Sequence, residues 1–205
     1  MRTLSRITMG VLAVMLAACT ASAQDELIGL EKVHQLVVAK QMRPAARALS
    51  EVSVEFRREL GRCHDEAIGG RMMQTEPKFD ALGAKLAAGT VTTVGAVEKE
   101  FAEYDHLLAE HHQQLSADGW ARPRFTKMET VAKDVGLAAR YLERAARWEK
   151  QPLTAEAQKA VDDALALAKQ LGAEPTNPPA TSAAVIDALG QAVKRPTRVA
   201  QGRMQ

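Results

Sequence analysis

The chain has 205 residues, of which 46% are apolar, 25% charged and only 4% aromatic. That length suits one domain with appendages, and few aromatics beside abundant Ala favour packed helices over a β-sandwich. Lys+Arg number 27 against 25 Asp+Glu. Arg2 and Arg6 lie in an N-terminal leader, and without those two the remainder carries 25 of each sign, which makes nucleic acid an unnatural partner.

Residues 1–23 read as an export signal. Arg2 and Arg6 give it a positive start, and Ile7–Ala18 is an apolar run too short to serve comfortably as a permanent bilayer span. Within it, Leu16-Ala17-Ala18-Cys19 resembles the lipobox of bacterial lipoproteins. The resemblance covers four residues. It implies that cleavage falls before Cys19, which receives lipid and becomes the new N-terminus. Thr20 stands where many inner-membrane-retained lipoproteins carry Asp, so the resemblance implies the outer membrane. Ala21-Ser22-Ala23 is a competing small-residue site that would release a soluble periplasmic or secreted protein beginning at Gln24. On either reading the product is an exported bacterial protein. With Cys19 lipidated or removed, Cys63 is its one free cysteine, so no intramolecular disulfide staples the fold.

A first helix is expected over about Glu26–Gln41, with Leu27, Leu30, Val33, His34 and Val37 on one face. Pro44 then suits the start of a second, to Ile68, striped by Ala45, Leu49, Val52, Phe56, Leu60, Cys63 and Ala67 and stopped by Gly69-Gly70. Thr75 is positioned to cap a short helix over Glu76–Ala87. The stretch Val91–Leu115 follows, capped by Thr90, with Val94, Val97, Phe101, Tyr104, Leu108 and Leu115 at spacings that line one helix face. It runs to Asp118, stops at Gly119, and is the segment the others are expected to pack around. Pro123 opens a helix to about Lys150 whose buried line is Phe125, Met128, Val131, Val135, Ala139, Leu142 and Ala146. Thr154 caps another, to Leu171. Three prolines then mark residues 173–181 as a linker. A last helix, Ser182–Lys194, leads into a basic tail with Arg195, Arg198 and Arg203. The fold reading is all-α: an antiparallel bundle of about five to six helices over residues 25–172, then a linker, short helix and tail over 173–205.

Few residue patterns point to chemistry. Glu31-x-x-His34 and Glu103-x-x-His106 share the Glu-x-x-His spacing of di-metal bundles, but Glu103 and His106 face away from the apolar stripe. His111 and His112 flank that stripe. With His34, His106 or Cys63 they are the candidates for a Cu or Zn ion, although adjacent imidazoles on a helix diverge by about 100°. Cys63 itself reads as a small buried hydrophobe. No Cys-x-x-Cys-His is present, so a haem would be non-covalent, with Met and His as axial ligands. There is no phosphate loop, nucleophile elbow or zinc-protease motif. Arg140, Tyr141, Arg144, Arg147 and Trp148 cluster away from the stripe of their helix and form a candidate partner surface, with an internal helix contact as its alternative. The functional expectation is a non-enzymatic accessory or scaffold protein of the cell envelope that binds an envelope protein partner through helix faces. A periplasmic metal- or haem-binding bundle is the alternative.

Overall fold

A computed structural model describes residues 29–91 and 93–194. They form seven helices and, among the described residues, no strand. In chain order these are α1 (29–38), α2 (Met42–Arg62), α3 (Glu66–Ala87), α4 (Val94–Ala121), α5 (Met128–Glu149), α6 (Ala155–Ala173) and α7 (Ser182–Lys194). The expected helical bundle is what the chain forms. The signal segment, Cys19, both cleavage sites and Arg195, Arg198 and Arg203 lie outside the described residues. No helix among the described residues is long and apolar enough to cross a membrane.

The α4–α5 pair is the centre of the bundle. It is the most extensive helix contact, with α6 laid along α5, α7 closing on α4 and α6, and the α2–α3 hairpin meeting α4. Val97, Phe101, Tyr104 and Leu108 of α4 are buried as their spacing requires. The packing is close because α5 carries small residues on several sides. Ala132, Gly136, Ala138, Ala139, Ala145 and Ala146 are all buried, and a Cβ on Gly136 would sit 3.4 Å from that of Ala168 on α6. An aromatic cluster joins the hairpin to the central pair. Tyr104 lies 4.8 Å from Phe56 and 4.7 Å from Phe79, and Phe101 meets Trp148 edge-on at 5.6 Å.

Several boundaries differ from expectation, each for a local reason. The second helix ends at Arg62 rather than Ile68. Cys63 turns to extended backbone, and the Asp65 carboxylate accepts from the Ile68 N–H at 2.9 Å to start α3. That helix then runs through Gly69-Gly70, Thr75 and Pro77. A helical Gly costs about 1 kcal/mol, which burial of Ile68, Met72 and Phe79 outweighs. Thr93, not Thr90, caps α4, and the helix continues past Gly119 to Ala121. Gly119 serves close approach instead: a Cβ there would lie 2.9 Å from Thr126 and 3.0 Å from Val131. Pro123 sits in the connecting loop, and Phe125 is 89% exposed rather than buried. Thr154 caps α6 as expected. The last helix belongs to the bundle: Ile186, Leu189 and Val193 join the common core, so the helical domain extends beyond residue 172 to Lys194.

Candidate functional site

The interior of the bundle contains two clusters of ionisable groups, and both lie along the α4–α5 seam. The first is built on Asp105 of α4, which is fully buried. Arg144 of α5 grips it with two parallel hydrogen bonds, Nε to Oδ2 and Nη2 to Oδ1, both 2.7 Å. Trp148, one turn further on, donates its indole N–H to Oδ2 at 2.8 Å. Burial raises the Asp105 carboxyl above the ordinary Asp range, and the Arg144 charge and hydrogen bonds only partly offset that rise. The guanidinium of Arg144 also stands 5.3 Å from the centre of the Tyr141 ring.

Tyr141 links this cluster to the second. The ring of His112 stacks on it at 5.6 Å, only 10° from parallel. His112 Nδ1 donates to Asp134 Oδ1 at 2.8 Å. On the other edge, His112 Nε2 is 3.8 Å and His111 Nε2 3.3 Å from one oxygen of Glu59, on α2. Glu59 also accepts from Arg62 at 2.9–3.0 Å, and Arg62 reaches Asp134 at 3.7 Å. Burial opposes ionisation of Glu59, but His111, His112 and Arg62 outweigh it and hold the carboxyl down at about 2. His111 Nε2 is buried 3.3 Å from that oxygen, outside good hydrogen-bond alignment.

This geometry corrects two expectations. Adjacent His111 and His112 do not point apart, because both rings bend toward the Glu59 carboxylate, with centroids 5.2 Å apart. The candidate partner surface is largely interior. Tyr141, Arg144 and Trp148 are buried, Arg140 is half-buried, and only Arg147 is exposed, where it meets Glu31 at 3.3 Å. Arg144 and Trp148 converge on one carboxylate, that of Asp105.

The metal-ligand candidates are dispersed. His34 bonds Glu98 at 3.1 Å and leans on Trp148, while His106 is 3.5 Å from Glu149. Cys63 is half-buried at the α2–α3 turn, and burial pushes its thiol up, away from the thiolate that binds metals. Among the described residues, no group of three or more His, Cys, Asp or Glu side chains is arranged to hold a metal ion. Asp105, Asp134 and Glu59 are the site residues that sequence reasoning missed. Asp105 falls on the buried side beside Tyr104, and that position was its one available signal.

On the outside, a cleft of about 850 Å³ runs between α3 and α4 and reaches the end of α5. Its walls carry both signs: Arg71 pairs with Glu110, Lys78 with Glu103 and Lys150 with Glu98. No family model, curated protein or solved structure matches this chain.

Proposed function

We propose that this is an exported, non-enzymatic helical-bundle protein of the bacterial cell envelope, anchored to the outer membrane by lipid on Cys19, which acts as an accessory or scaffold for an envelope protein partner. The observation that carries the non-enzymatic part is the engagement of its buried ionisable groups. Asp105 is held by Arg144 and Trp148, Asp134 by His112, and Glu59 by Arg62 with two imidazoles within 4 Å. Groups tied to one another in this way fix the helices in register and are poorly placed to transfer protons to a substrate. The partner meets exposed helix faces, among them the mixed-charge α3–α4 cleft. The test is growth with labelled fatty acid, comparing wild type with Cys19→Ala. Label in the wild type alone, with the protein in the outer-membrane fraction, supports the reading. An unlabelled wild-type protein in the soluble fraction overturns the anchor.

One observation favours a metal-binding reading: two imidazole nitrogens stand within 4 Å of the same Glu59 oxygen. Elemental analysis and a visible spectrum of untagged protein decide it. Stoichiometric Cu or Zn, or a Soret band, replaces the scaffold reading with this one.

A further inference from the structure

We propose that the α4–α5 loop, residues 122–127, is a tip that seats on an anionic phospholipid surface. Its sequence is Arg122-Pro123-Arg124-Phe125-Thr126-Lys127, with three cations and no acid in six residues. Phe125 is the most exposed large apolar side chain described. Elsewhere on the bundle many surface cations are clamped to carboxylates, as in Arg57 to Glu76 and Asp80, or Lys159 to Asp163. Among the described residues Arg122, Arg124 and Lys127 take part in no such pair, and the nearest acid along the chain, Glu129, lies in the first turn of α5.

The loop also reaches past the neighbouring α2–α3 turn. From Glu110, which pairs with Arg71, α4 continues eleven residues to Ala121, while α3 goes back only five from Arg71 to Glu66. The Lys78–Glu103 pair gives the same six-residue excess. At 1.5 Å per residue, the tip projects roughly 9 Å past the α2–α3 turn. Phe125 is presented firmly. Its N–H and that of Thr126 both donate to the Arg122 carbonyl, at 2.9 and 3.2 Å, and Thr126 packs on Gly119. A protruding aromatic ringed by unpaired cations fits the headgroup region of an anionic bilayer, where the ring enters the interface and the cations meet phosphates. A protein pocket that takes one Phe would demand acids around it and concavity on the partner, and nothing on this chain selects for that.

The direction of the chain agrees. Gly29 packs on Val52, and α1 then runs away from the tip toward the α1–α2 turn, so the polypeptide enters α1 from the tip side. Cys19 lies ten residues upstream of Gly29. A lipid there is close enough for anchor and tip to share one membrane, since ten residues span at most about 35 Å. That last point rests on the lipid-anchor reading; the chemistry of the tip does not.

The test uses the protein in its processed form carrying Phe125→Trp, with wild type as the background for Trp120 and Trp148. It is mixed with brominated vesicles of phosphatidylcholine alone, or of phosphatidylcholine and phosphatidylglycerol in equal parts. The introduced indole should shift to the blue and be quenched on the anionic vesicles. Reversing Arg122, Arg124 and Lys127 to Glu should abolish that quenching. Each cation contributes about five-fold in surface affinity, so losing three alone weakens contact by roughly a hundred-fold, and the three added carboxylates weaken it further. An indole unquenched on anionic vesicles, or quenched equally on neutral ones, overturns the proposal. A lipidated protein attaches to both vesicle types and an unlipidated one does not. Failure of the anchor is therefore read from attachment, and failure of the tip from quenching.

Discussion

Replacing Arg144 with Met strips the Asp105 carboxylate of its charged partner without leaving a large cavity. Arg144 is 2% exposed and Asp105 0%, so water cannot easily take the place of the guanidinium. Two 2.7 Å hydrogen bonds disappear, and Asp105 keeps only the indole N–H of Trp148 and any proton it picks up. Breaking a buried pair on one side costs about 3–5 kcal/mol, against a total stability of roughly 5–15 kcal/mol. Asp105→Leu strands the Arg144 charge and should cost a similar amount. The double variant removes both charges. It leaves the Trp148 N–H without this acceptor, a penalty of about 1–3 kcal/mol. The singles therefore sum to about 6–10 kcal/mol and the double should cost about 1–3, a coupling of at least 3 kcal/mol. Urea unfolding of all four proteins, followed by far-ultraviolet circular dichroism, measures this. A coupling below about 1 kcal/mol would refute the argument, because it would mean the pair is solvated or relaxes freely.

Other consequences are as direct. Glu59 titrates at about 2 in the fold against 4.5 ordinarily, so its contribution is present above 4.5 and is lost as pH falls through 2. Allowing for its partly exposed edge, that contribution is on the order of 2 kcal/mol, and Glu59→Gln should flatten stability across this window in acid titrations of unfolding. Asp105 works in the opposite sense, since its raised value makes stability fall as pH rises above 3.8. Lys40, at φ 58° in the turn between α1 and α2, is strained for a side chain, and Lys40→Gly should stabilise by about 0.5–1 kcal/mol in the same urea assay. Gly119→Ala should destabilise by about 1–3 kcal/mol, because the stiff side chains of Thr126 and Val131 leave no room for a methyl group.

Legibility in the sequence followed how local the deciding interaction is. The cap at Thr154 and the bounds of α7 depend on residues within a turn or two, and both were readable. The α2–α3 boundary was misplaced because Gly69-Gly70 looks like a stop, whereas the Asp65 cap and the burial of Met72 set the helix. That the partner-surface and internal-contact readings of Tyr141, Arg144 and Trp148 both stayed open has a different origin. A polar face is normally a wet face, but α5 is covered on nearly every side, and its polar residues find partners 39 and 43 residues away in sequence. No periodicity reveals that Asp105 waits opposite Arg144. His111 and His112 were placed at the edge of the core, yet their shared carboxylate comes from α2, which only the tertiary arrangement brings there.

The proposed lipid tether on Cys19 is tested most directly by the mass of the protein taken from cells. Intact mass spectrometry should give a chain that begins at Cys19 and carries the added mass of a lipid modification. An unmodified chain that begins at Gln24 would contradict it.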